Sequence, residues 1–159
     1  MKYISGIIAI LFLSVFAACE DETKTCDQTL ISDLGMNFKK DTLNGYLVKD
    51  TTWPKVTFYA IGNDSVLVKR QPRNSIFTAL DPANDTCRFY LQLDSIATPD
   101  TLTFRYKRKP SFVSAGCGFA TFFTLDTVIT THNTIDSLHI NNKEVNSTND
   151  THISLFFIY

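Results

Sequence analysis

Thr101-Leu102-Thr103-Phe104-Arg105-Tyr106-Lys107-Arg108-Lys109 is the stretch on which the fold turns. Leu102, Phe104 and Tyr106 alternate with Thr103, Arg105 and Lys107. That period of two sets one face of a β-strand against a core and the other in water. The same alternation recurs on both sides. Val56, Phe58 and Ala60 alternate with Lys55, Thr57 and Tyr59, and Gly62-Asn63-Asp64 then turns the chain into 65–70 as a hairpin. The loop Asp81-Pro82-Ala83-Asn84-Asp85 precedes 87–93, where Cys87, Phe89, Leu91 and Leu93 share a face. Gly116-Cys117-Gly118 reads as a bulge or close backbone approach ahead of a strand over 119–125. Segments 127–131, 135–140 and 153–158, with two more near 34–39 and 43–49, bring the expectation to about nine strands.

Composition agrees with the pattern. Beyond residue 18 the chain holds 20 Thr against 6 Ala, and 13 Asp against 3 Glu. Ala and Glu favour helices, whereas Thr favours strands and Asp favours turns. No window sustains a helical period. The expected fold is all-β, an antiparallel β-sandwich over residues 30–159. The 159 residues suit one core, and 44% apolar content excludes a disordered chain. A net charge of -1 excludes a basic nucleic-acid binder, so no nucleic-acid partner is expected.

Residues 1–18 stand apart. Lys2 is their only charge, Ile7 to Leu13 is an unbroken apolar run, and Phe16-Ala17-Ala18-Cys19 follows. The run is too short to span a bilayer, which needs roughly 20 helical residues, and reads as a signal peptide. Small residues before Cys19 resemble a bacterial lipobox, with Phe16 where Leu is usual. The resemblance implies cleavage before Cys19, a diacylglyceryl thioether on its sulfur and acylation of its new amine. Two or three acyl chains give a stable anchor where one is marginal. Residues 19–29 then form a tether. Its acidic Glu20-Asp21-Glu22 resembles the surface-export signal of Bacteroidota lipoproteins, the plainer reading being a solvated spacer. The expected location is the outer membrane, facing the periplasm or the cell surface.

Setting Cys19 aside leaves Cys26, Cys87 and Cys117. Cys87 lies on the apolar face of its strand and reads as a buried free thiol. Cys26 and Cys117 are then the natural disulfide in an oxidising compartment. Their bridge would close a loop of about ninety residues, valued at up to about 4.6 kcal/mol in the chain-entropy picture, and would fasten the tether to the domain.

Nine of the 13 Asp residues are followed directly by Ser or Thr, where chance gives about three. Turn grammar explains this: Asp accepts backbone hydrogen bonds where a loop ends, and a hydroxyl residue opens the next strand. At Thr42, Ser65, Ser95, Thr101, Thr127 and Ser137 an aliphatic residue also follows. Asp-Ser/Thr-aliphatic resembles the O-glycosylation sequon of exported Bacteroidota proteins, and some of these sites are expected to be used.

The lipobox, Gly62-Asn63-Asp64-Ser65, Asp100-Thr101-Leu102-Thr103-Phe104, Gly116-Cys117-Gly118-Phe119 and Ile153-Ser154-Leu155-Phe156-Phe157 belong together. On them the chain resembles a Bacteroidota lipoprotein family classed only as a domain of unknown function. The resemblance implies a small secreted β-rich lipoprotein and supplies no activity, cofactor or site. It also suggests an outer-membrane barrel protein as partner.

The residues themselves offer little chemistry. Three histidines, His132, His139 and His152, lack the spacing of a metal site, so no metal and no cofactor is expected. There is no Gly-x-Ser-x-Gly elbow, no Asp-x-Asp-x-Asp-Gly calcium loop and no Gly-rich phosphate loop. Arg105, Lys107 and Lys109 share one strand face. They read either as edge-strand protection or as a binding face for an anionic glycan or lipid headgroup. Trp53 reads as a core or rim anchor before it reads as a sugar platform. The expected function is a non-enzymatic envelope module that binds a protein partner. The alternative is a lipoprotein binding a glycan or small ligand.

Overall fold

The computed structural model describes residues 26, 30–42, 47–63, 66–148 and 150–158. Cys19, with the rest of 1–25, lies outside the described residues, as do Ser65 and the side chain of Thr42. Eleven strands are present: β1 (Asp33–Thr42), β2 (Leu47–Asp50), β3 (Trp53–Ala60), β4 (Val66–Arg73), β5 (Ser75–Ala79), β6 (Thr86–Gln92), β7 (Asp100–Ser114), β8 (Gly118–Thr130), β9 (Ser137–Ile140), β10 (Glu144–Val145) and β11 (Thr151–Ile158). No helix occurs among the described residues.

Contacts divide the chain into two compact units, 29–111 with 120–159, and 1–28 with 112–119. The larger is a sandwich of two sheets. One runs β2-β1-β11-β9, with β5 also on β1; the other runs β10-β8-β7-β6-β3-β4. One side of β1 is shared between two partners, Asp33–Asn37 pairing with β5 and Lys39–Thr42 with β2. The inner faces supply the expected residues: Val56 and Phe58, Phe89 and Leu91, and Leu102, Phe104 and Tyr106 are buried. Opposite them stand Leu34, Met36 and Phe38 of β1 and Ile153, Leu155 and Phe157 of β11. Rings lock the layer: Phe58 stacks on Phe89 at 5.0 Å, and Phe38 meets Phe157 edge-on at 5.7 Å.

Four expectations need correction. There are eleven strands rather than about nine, and Ser75–Ala79 and Glu144–Val145 are the two that no expected segment covers, each being short. The sandwich is not wholly antiparallel: β1 and β11 run parallel from Gly35↔Thr151 to Asp41↔Ile158. Residues 127–130 are not a separate strand but the end of β8, which runs from Gly118 to Thr130 although its buried face switches at 121–122 and again at 126–127. Gly116-Cys117-Gly118 is no bulge inside a strand but the turn between β7 and β8, where Gly118 takes φ +74.

In the smaller unit, Cys26 and Cys117 are disulfide-bonded, with Cα atoms 4.7 Å apart. The Cys117 amide returns to the Ser114 carbonyl at 3.2 Å and closes the turn. The rings of Phe112 and Phe119 meet edge-on at 5.4 Å.

Candidate functional site

Asp100 is the first residue of β7, opposite Leu91 of β6, and it is completely buried. A buried carboxylate is tolerated only when donors replace its water. Here five do. Oδ1 accepts from the Thr131 hydroxyl (2.9 Å) and the Asn133 amide (2.7 Å). Oδ2 accepts from the amides of Thr134 (2.8 Å) and Ile135 (3.1 Å) and from the Thr134 hydroxyl. Burial alone pushes the Asp100 carboxyl up, but these donors outweigh it and hold the group below the usual carboxylate range.

The donors all come from 131–135, so one carboxylate fixes the whole connection between β8 and β9. His132 adopts φ 56, a left-handed backbone that costs a non-glycine residue about 1–2 kcal/mol. Its Nδ1 sits 3.0 Å from the Asp136 carbonyl oxygen and 3.2 Å from that of Ile135. The ring thus fastens the far end of the loop, and Ile135 plugs the core beneath it.

This loop is one wall of a cleft of about 550 Å³. The segment after β6 is the other wall, held by Gln92 Nε2 on the Ala97 carbonyl (3.0 Å) and by the Ala97 amide on the Asp94 carbonyl (3.2 Å). Trp53, Leu93 and Phe157 also line it, the Trp53 and Phe157 rings packing edge-on at 5.6 Å. Asp94, His132 and Asp136 supply polar groups. Ile96 lines it while 93% exposed, the most solvent-exposed large apolar side chain among the described residues. Asn133 and Thr134 add to the polar side, so the lining is mixed, and its apolar part, Trp53, Leu93, Ile96 and Phe157, suits the capture of an apolar or aromatic group.

The other expected site residues are scattered. Ser95, Thr127 and Ser137 are exposed and Thr101 is half-buried. Ser95 lies beside the cleft, its amide donating to its own neighbour Asp94 Oδ1 at 2.6 Å. Arg105, Lys107 and Lys109 are exposed; β7 lies between β8 and β6, but its register with β6 ends at Arg105, and Lys107 and Lys109 stand on the stretch that runs past β6. Arg108 of the same run pairs with Asp85 at 2.6 Å. Cys87 is half-buried rather than buried, and burial pushes its thiol up. Of the histidines, His139 is exposed and His152 is fully buried. Among the described residues no group of three or more His, Cys, Asp or Glu is placed to hold a metal.

Sequence reasoning missed Asp100 as an anchor and Ile96 as a surface feature. Asp100 was hidden among nine Asp-Ser/Thr pairs. Ile96 had a signal, an isolated aliphatic residue within Asp94-Ser95-Ile96-Ala97-Thr98-Pro99, where a loop has no core to supply.

Residues 55–157 match a family of unknown function, DUF6452, and the chain belongs to that family. The match runs from within β3 to Phe157 and covers both walls of the cleft. Neither curated proteins nor solved structures gave a match.

Proposed function

We propose that this DUF6452 chain is an outer-membrane lipoprotein, anchored through Cys19, whose sandwich is a non-enzymatic binding module for a protein partner of the envelope. The partner is an outer-membrane barrel protein, and the cleft between 93–97 and 131–136 receives one of its apolar side chains. One observation carries this reading. Ile96 is 93% exposed beside a cleft lined by two aromatic rings, whereas an isolated domain gains nothing by holding it there. The rigid loop organised by Asp100 supports it, since a preorganised wall lowers the ordering cost of binding.

A photo-cross-linker at position 96, in the native envelope, tests the reading. Mass spectrometry should recover one stoichiometric barrel protein from position 96 and not from the exposed position Lys55. Ile96→Asp combined with a cross-linker at position 133 should abolish that product. No specific product from either position sinks the idea.

The volume of the cleft and the indole of Trp53 favour a second reading, a glycan or small apolar ligand in the same place. It predicts thermal stabilisation that grows with ligand concentration. A broad glycan screen without any shift counts against it.

A further inference from the structure

We propose that Phe112 and Phe119, flanking the β7–β8 turn, form a second membrane contact that inserts into the headgroup–acyl boundary of the bilayer holding the Cys19 anchor. The inference rests on the lipid anchor proposed above. Phe112 is 59% and Phe119 73% exposed, yet their rings contact each other edge-on, forming one apolar knob rather than two stray side chains. Phe112-Val113-Ser114-Ala115-Gly116-Cys117-Gly118-Phe119 contains no charged residue. Insertion of this stretch therefore strips water from no ion, which is the main cost of entering a low-dielectric medium.

Covalent geometry supplies the target. Cys117, inside the turn, is bonded to Cys26, and their Cα atoms lie 4.7 Å apart. Cys26 stands seven residues after Cys19, a span of at most about 25 Å when fully extended. The aromatic turn is thereby confined to the neighbourhood of the lipid surface. A weak contact held at high effective concentration binds where the free contact would not. Aromatic side chains suit the interfacial layer, and one added contact of this kind complements acyl chains already inserted.

The test uses the full-length, lipidated protein in vesicles of phosphatidylethanolamine and phosphatidylglycerol with brominated acyl chains. In a Trp53→Phe background, single tryptophans are placed by Phe119→Trp, by Phe112→Trp or, for comparison, by Ile96→Trp. Mass spectrometry of the N-terminal peptide reads the acylation of Cys19. The expected result is a blue-shifted emission at 119 and 112, quenched several-fold more strongly than at 96. Acylated protein with no greater quenching at 119 and 112 than at 96 overturns the aromatic contact and leaves the anchor standing. A blue shift without bromine quenching means the rings are covered by a protein or a second copy, and also overturns it. An unacylated Cys19 overturns the anchor and this contact together.

Discussion

Gly35 donates its amide proton to Nδ1 of His152 at 3.0 Å, joining β1 to β11 where their register slips. A Cβ at position 35 would strike the Asp150 carbonyl oxygen and the ring of Phe77, so only glycine brings the two strands this close. His152 Nε2 lies 3.2 Å from the Glu144 carbonyl oxygen. The proton therefore belongs on Nε2, leaving Nδ1 as acceptor for Gly35, and the ring is neutral.

Burial holds the His152 imidazole below its ordinary value of 6.5. Between the folded and unfolded values the unfolded chain binds more protons, so stability falls as pH drops below about 6.5. It levels off once pH is under the folded value. Chemical denaturation across pH 4 to 8 should show this slope, and His152→Asn should remove it at a cost of about 1–3 kcal/mol. A slope unchanged in His152→Asn would place the titration elsewhere.

Asp100→Asn should be costlier than most surface-loop changes, about 3 kcal/mol in equilibrium unfolding. The new amide would turn a donor toward the amides and hydroxyls that now converge on the carboxylate. Since the Asp100 carboxyl is held below 3.8, its contribution is complete above that pH and is lost as pH falls through the folded value. The variant should therefore lose acid sensitivity below about pH 4. It should also loosen the 131–136 wall, seen as faster amide exchange at Thr134 and Ile135.

Cys117→Ser should lower stability by up to about 4.6 kcal/mol, the chain-entropy value for the separation of 91. Differential alkylation should find Cys26 and Cys117 protected until reduction and Cys87 as the free thiol. Burial raises the Cys87 thiol, so its alkylation at neutral pH should run slower than that of an exposed cysteine and recover on denaturation. Fast labelling of Cys87 in the folded protein would contradict its placement.

Ser95 is the O-glycosylation candidate whose occupancy has the sharpest effect, because its neighbours Asp94 and Ile96 both line the cleft. A glycan there would crowd the mouth, so glycosylation at Ser95 and cross-linking from position 133, which leaves Asp94-Ser95-Ile96 intact, should exclude each other on single molecules. Intact glycopeptide mapping against the cross-linked and free pools checks this. Exposed Thr127 and Ser137 should carry glycan in both pools alike.

The fold was legible wherever burial is one-sided. Leu102, Phe104 and Tyr106 show their period because the opposite face of β7 meets water. His152 and Ser154 were opaque for the complementary reason. They lie on the second face of β11, which is buried too, with Asn141 on the Ser154 hydroxyl and the Glu144 carbonyl at His152. The alternation of His152 and Ser154 with Ile153 and Leu155 has the look of a solvent-facing stripe, yet both faces are covered. The parallel pairing of β1 with β11 left no local trace, since it joins residues more than a hundred positions apart. Of the candidate site, the Asp-Ser/Thr excess pointed to turns but could not say which carboxylate gathers five donors. That depends on where 131–135 packs in space.

The parallel pairing also sets an order of events. Asp33–Thr42 is the first of the described strands to be synthesised, yet one long side of it stays open until Thr151–Ile158 has followed. That open side of β1 is thus completed by the last of the eleven strands, a wait that long-range pairing makes slow. Such a keystone delays closure of its sheet until the last of the eleven strands is in place. Until then the core-facing side chains of β1, Leu34, Met36 and Phe38, need shelter from neighbours.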